Sequence, residues 1–398
     1  MQKHVLNIDW LTIYGSQHLD IAKEAFKPEQ RKDWNEMQSK SRKPKTKHEL
    51  AKEQEMIFLG KKQHFFGNII LDVMEYGTRI YNVLAHIYIG RERFGVFCAF
   101  PRSKKGNPNA FTLKVDNMWL YKSDCWSKLA YVIGTLHLEP HSISRLDIAA
   151  DFNLFHGGLH PIEFIRRFMA SEIKHKGRAQ GKVYFRQEKA PSGMRVVGND
   201  VLNFNALEIG KRTSDAHCYL YNKSLELREE TKKPWIEDCW IKAGLNPSEV
   251  WRLEVSMKSE ALKFPDKNSG ECISFNLGNI MDPGSGITVS DLYFTMMKSL
   301  FFFYVPGRDT NVSRYEMIQL FDEEVQIDRG TYREKNPSDR AERVFIKKLY
   351  TFRQRYRNIQ LKDEFRARMF AQHLVETMNL QDWYEQHRSE WEREKIKV

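Results

Sequence analysis

Residues 205–228 read NALEIGKRTSDAHCYLYNKSLELR, and the folding of this run decides how the rest of the chain assembles around it. Two strand-like pieces flank the polar turn GKRTSD, the pattern of an antiparallel pair. Successive side chains of a strand alternate between its faces, so Tyr219, Tyr221 and Lys223 project from one face. A phenol and an ammonium group then become neighbours, with Glu226 just beyond them. Two other runs place carboxylates in the same way: Arg145, Asp147, Ala149 and Asp151 in SRLDIAADF (144–152), and Arg252, Glu254 and Ser256 in VWRLEVSMK (250–258). Each puts charge on alternate positions of an otherwise apolar strand, a half-buried placement that costs stability. The three strands suggest one antiparallel sheet carrying one site.

Gathered together, these residues supply a nucleophile, a cation and three carboxylates. A tyrosine hydroxyl, with an ordinary pKa of about 10, needs activation. A divalent ion on carboxylates can polarise a phosphate for it to attack. The pattern therefore points to phosphoryl transfer. A plainer reading competes with it: Tyr221 as a strand aromatic, Lys223 paired with Glu226, and the acids as ion-pair partners of Arg145 and Arg252.

The succession NIDWLTIYG (7–15), SRLDIAADF (144–152), IGKRTSD with YLYNKSLE (209–226) and WRLEV (251–255) resembles the replication initiation factor family over residues 5–260. These are trans-acting initiators of rolling-circle plasmid replication, related to relaxases of integrative and conjugative elements. They nick one origin strand and keep its 5′ phosphate on a tyrosine. The resemblance implies an α+β fold, a central antiparallel β-sheet of the HUH-like nickase kind with flanking helices. It implies Tyr221 as nucleophile with Lys223 beside it, and Mg²⁺ or Mn²⁺ on Asp147, Glu254 and Asp151. It further implies origin DNA, single-stranded or extruded as a hairpin, as substrate, and a host helicase and a second copy of the chain as partners. A bacterial cytoplasmic setting on a plasmid, phage or integrative element goes with it. Two departures stand out. The strand before the tyrosine is not Thr-rich, and Tyr219, two residues upstream, leaves the nucleophile open between the two. The superfamily's His-hydrophobic-His pair is missing, although His141 and His217 lie near the motifs.

Composition supports a folded, polyanion-binding protein. Of 398 residues, 41% are hydrophobic, enough for a real core, and 63 Lys plus Arg against 52 Asp plus Glu leave a formal charge of +11. The five cysteines, Cys98, Cys125, Cys218, Cys239 and Cys272, form no CxxC pair, which fits free thiols in a reducing compartment. The N-terminus has no apolar signal core, and the greasiest run, 293–305, is too short to span a bilayer, so no membrane partner is expected.

Along the chain, residues 6–14 read as a first strand with Ile8, Trp10, Thr12 and Tyr14 on one side and Asp9 on the other. Residues 17–62 form a basic, charged insertion leading into a helix near Glu49. Strands separated by Gly, Pro and Asn turns fill 65–119, and helices follow at 123–138 and 161–175. Two domains are expected: a strand-transfer domain over 1–285 and a helical C-terminal region over 286–398. Within the latter, 290–305, 314–325 and 338–358 have helical periodicity. Arg145, Arg252, Lys211 and Arg212 near the site, and Lys347, Lys348 and Arg353 on the basic helix 338–358, are the candidate DNA contacts. Three rivals to origin nicking remain: mobilisation of a conjugative element by the same chemistry, a non-catalytic DNA-binding regulator, and a nuclease using water, for which Tyr221 is dispensable.

Overall fold

The computed structural model describes residues 3–18, 46–103, 105–175, 181–186, 203–229, 233–265, 272–282, 284, 287–307 and 315–322. The chain divides into two compact units, residues 1–330 and 331–398. The second unit, with Lys347, Lys348 and Arg353, lies outside the described residues, as does 19–45 of the basic insertion.

The first unit is built on an eleven-stranded antiparallel sheet. Its strands are β1 (His4–Gln17), β2 (Gln63–Phe66), β3 (Ile69–Val73), β4 (Tyr81–Ile89), β5 (Glu92–Pro101), β6 (Ala110–Val115), β7 (Leu138–Phe152), β9 (Gly181–Arg186), β10 (Asn203–Ile209), β11 (Ala216–Asn222) and β12 (Trp251–Lys258), while β8 (Lys174–His175) stands outside it. The order is β2-β3-β4-β5-β6-β1-β7-β12-β11-β10-β9. A meander from residues 63–115 thus forms one wing, and the long pair β1–β7 forms the seam joining it to the motif-bearing wing. This is the expected α+β class with a large antiparallel sheet.

One face of the sheet is the core. Leu11, Ile13, Phe97, Phe111, Leu113, Leu146, Ile148, Leu220, Leu253 and Val255 are fully or almost fully buried there. The helix Val289–Leu300 packs into this core through Tyr293, whose hydroxyl donates to the Leu253 carbonyl at 3.0 Å. Phe303, Leu320 and Phe321 join the same core, so the core of the first unit runs past residue 285. The helical reading of 314–325 fails across 315–322. Met317 bridges Tyr304 instead, because backbone pairing at the end of the short strand Phe303–Tyr304 outweighs a local periodicity. Among the described residues, no helix is long and apolar enough to cross a membrane.

The opposite face carries the polar alternate positions. A smaller core covers part of it, built by Leu227, Ile236, Trp240, Leu245 and Val250 from the helices Lys223–Glu229 and Pro234–Ala243 and the chain that follows them. The insertion helix, Lys47–Leu59, starts at Thr46 with a capping box to Glu49, as the sequence there predicts.

Candidate functional site

Register places the three motif strands side by side. Asp147 lies opposite Ser256, Ala149 opposite Glu254, and Asp151 opposite Arg252. On the far side of β12, Ser256 faces His217, Glu254 faces Tyr219, and Arg252 faces Tyr221. Even steps along each strand keep these residues on one face, as alternation predicts. The first strand departs from it. Its register to β7 shifts between Ile8 and Trp10, leaving Asp9 as the extra residue of a bulge. Ile8 goes into the core, while Asp9 turns toward the site face with Trp10. The expected face assignment of Ile8 and Asp9 is therefore reversed, since one inserted residue flips a strand's alternation.

Arg252 is fully buried at the centre of a charge knot. Its Nε donates to Asp151 Oδ1 at 2.6 Å, Nη2 to Asp151 Oδ2 at 2.7 Å, Nη1 to Asp9 Oδ1 at 2.6 Å, and Nη2 also to Tyr121 Oη at 2.9 Å. Trp240 Nε1 adds a bond to Asp151 Oδ2 at 2.7 Å, and Tyr121 and Asn117 donate to Asp9 at 2.8 Å and 3.0 Å. Burial alone raises the Asp9 carboxyl, but Arg252 and Lys223 outweigh it and hold it well below its ordinary value. This geometry bears on two expectations: both Asp151 oxygens are filled by Arg252 and Trp240, and Arg252 is fully buried beside the smaller core.

Next to the knot, Tyr221 joins the reactive groups. Its hydroxyl donates to Glu254 Oε2 at 3.2 Å, and Lys223 Nζ donates to that hydroxyl at 3.4 Å and to Glu226 Oε2 at 2.7 Å. Lys223 takes this position because the strand ends at Asn222, whose Oδ1 accepts the Leu225 N–H at 2.9 Å and starts the helix Lys223–Glu229. The Ser224 hydroxyl clamps that turn to the Pro247 carbonyl at 2.6 Å. Tyr219 stacks on Tyr221, ring centroids 4.8 Å apart at 27°, as two tyrosines on one strand face should.

The protonation states here are poised. Burial, then the charges of Asp9 and Asp147, raise the Glu254 carboxyl from 4.5 to about 7. Burial and Glu254 push the Tyr221 phenol well above its ordinary value. Burial and Arg252 draw the Lys223 ammonium down despite Glu226. His217, in the Asp147 row, is lowered by burial and so is held neutral near pH 7.

The remaining sequence candidates spread around this centre. Asp147 is almost fully buried and takes a fork from Arg145, Nε at 3.0 Å and Nη2 at 2.6 Å. Arg145 itself is 41% exposed. Lys211 and Arg212 sit in the turn after Gly210, whose φ of 91° suits glycine, and Arg212 lies 3.7 Å from Glu208. His141 is tied to Ser16 Oγ at 2.6 Å, away from the tyrosines. Among the described residues, no three His, Cys, Asp or Glu side chains gather closely enough to share an ion. Asp9, Tyr121, Asn117 and Trp240 escaped the sequence reading; the aspartate of NIDW inside an apolar run was the one signal for them.

No family model matches the chain, and no curated protein matches it. Among solved structures, the chain is similar to the rolling circle replication initiator protein from Geobacillus stearothermophilus, with 12% identity and a TM-score of 0.40 over 79% of this chain and 93% of that one.

Proposed function

We propose that the protein is a DNA strand transferase of the rolling-circle initiator type, which nicks one strand and rejoins it through Tyr221. The observation that carries this reading is the Tyr221 hydroxyl bonded at once to the Glu254 carboxylate, at 3.2 Å, and to the Lys223 ammonium, at 3.4 Å. A structural strand tyrosine needs neither. The phenol proton passes to Glu254, whose carboxyl near pH 7 is matched to that task. The phenolate oxygen, its charge countered by Lys223, bonds to the scissile phosphorus. The bond from phosphorus to the 3′ oxygen breaks, and that oxygen leaves as a free hydroxyl after taking a proton from solvent. The 5′ phosphate stays on Tyr221, so reversal by a 3′-hydroxyl rejoins the strand without ATP. Tyr219 supports the ring by stacking and serves as the alternative nucleophile.

The divalent ion implied by the resemblance fits a reduced donor set. Asp151, held by the fully buried Arg252, drops out, while Glu254 and Asp147, once the half-exposed Arg145 swings off it, remain, and their mutual repulsion is part of what raises Glu254. Mg²⁺ is typically held by one or two carboxylates plus waters and substrate phosphates, so these two residues would hold Mg²⁺ or Mn²⁺. Bound there, the ion would supply charge neutralisation at the phosphate. Origin DNA is the substrate on this reading, with a host helicase and a second copy as its partners, in a bacterial cytoplasm.

The test is incubation with single-stranded oligonucleotides tiled across the DNA flanking the gene, with Mn²⁺, Mg²⁺ or EDTA, read as a slower-migrating covalent adduct on a denaturing gel. A metal-dependent adduct lost in Tyr221→Phe is expected. Cleavage without an adduct would replace this reading with a water-using nuclease, and binding to a verified origin without cleavage would replace it with a regulator.

A further inference from the structure

The site face continues past Asp147 onto β1 and β6. Trp10 pairs with Asp147 across β1–β7, and Thr12 pairs with both Arg145 and Lys114, so Trp10, Thr12, Arg145 and Lys114 share this face and are all half-buried. Two strand spacings across and one same-face step along separate Trp10 from Glu254, about 10 Å by about 7 Å.

Two cations lie over this single ring. Lys114 Nζ is 3.3 Å from the Trp10 centroid, and Arg145 Cζ is 4.3 Å from it. The Arg145 guanidinium is also forked on Asp147, which ties the ring to the carboxylate strand. The indole N–H is turned back to its own strand, donating to Thr12 Oγ1 at 2.8 Å. The ring is therefore oriented before any ligand arrives, which spares binding the cost of ordering it. Lys114 makes no close ion pair among the described residues, and burial draws its ammonium below the ordinary value against the opposing charges of Asp116 and Asp147. A half-buried cation with no anion in direct contact is costly, and an arriving phosphate relieves that cost. A fixed aromatic face beside an unpaired cation matches the two parts of a nucleotide. A ring can stack only on a base that is free of duplex stacking, which selects a single strand.

We propose that Trp10 and Lys114 form a binding subsite for single-stranded DNA a few nucleotides from the scissile phosphate. Lys114 moves off the ring to take a backbone phosphate, the indole face it uncovers stacks one base, and Arg145 keeps the ring in place. This subsite rests on the DNA substrate of the strand-transfer reading and adds to it a place where the strand is held.

The experiment measures binding without cleavage. The full chain carrying Tyr221→Phe, in EDTA, is titrated with a labelled oligothymidylate, the matching abasic strand and a duplex, over a range of salt concentrations. Adding Trp10→Ala is expected to weaken oligothymidylate binding roughly tenfold, the scale of one base–aromatic stack, and to leave the abasic strand unchanged. Trp10→Phe should recover most of the loss. Lys114→Ala should make the dependence of log K on log salt shallower by about 0.7 on both single strands, as expected for one lost phosphate contact. Equal weakening of oligothymidylate and abasic strand by Trp10→Ala, no weakening at all, or duplex binding as tight as single-strand binding would overturn the subsite. The two proposals fail separately. A wild-type chain that forms no adduct, with the Trp10 effect intact, sinks strand transfer alone. Normal adduct formation with no Trp10 effect sinks the subsite alone.

Discussion

Arg252 and Tyr221 face each other across β11 and β12, yet the clusters around them are built on opposite rules. Around Arg252 every charge is answered: two carboxylates, a phenol and an indole N–H close the knot, and the smaller core seals it from water. Around Tyr221 the charges are in tension. A carboxyl is pushed up to about 7, a phenol is pushed up, and an ammonium is drawn down, all within one hydrogen-bonded group. The difference separates structure from chemistry. Paired ions hold strands in place, and groups of displaced pKa exchange protons.

The comparison breaks first at the nucleophile. Tyr221→Phe removes the attacking oxygen, so adduct formation on a denaturing gel should fall on the order of a thousandfold or more. Its melting temperature should stay near that of the parent, because only the bonds to Glu254 and Lys223 are lost. If the adduct instead survives in Tyr221→Phe and vanishes in Tyr219→Phe, the roles of the two tyrosines exchange.

Arg252→Met tests the other cluster. It strands Asp9 and Asp151 in a buried site, a loss of about 3–5 kcal/mol in urea unfolding. A variant as stable as the parent would mean that the knot is not structural. Glu254→Gln has a smaller effect with a definite pH signature. The folded-state pKa of Glu254 is raised from 4.5 to about 7, so the native state prefers the proton. The stability this gives is fully present below the unfolded pKa and is lost as pH rises through about 7. The glutamine variant should therefore gain on the parent above pH about 7, by on the order of 1–3 kcal/mol at about pH 8, and the difference should close toward pH about 5. Thermal melts across that range check it. Tyr219→Phe has the smallest expected effect, within roughly threefold of the parent rate in adduct assays, because the stacked ring remains.

Much of this was legible in residues that alternate. SRLDIAADF, YLYNK and WRLEVSMK announce strands with one polar face, and the pairing of β7, β12 and β11 follows from burying the other face. The stacked tyrosines and the Lys223–Glu226 pair follow from spacings of two and three residues. Asp151 and Arg252 looked like ligand and DNA contact because alternation shows which face a side chain takes and is silent about what covers that face. The cover comes from Trp240 and its neighbours, which contact Asp151 from 89 residues away in sequence.

Sequence alone determined the strand periodicity and the helix near Glu49, because these depend on neighbours within a few residues. Only the tertiary structure decided that Asp9 joins the site through a bulge, that Arg252 is spent on Asp9 and Asp151, and that Met317 bridges Tyr304 where a helix was expected. Each of those outcomes turns on a register, a burial or a pairing between segments far apart in the chain, and such long-range terms outweigh local preference wherever the two disagree.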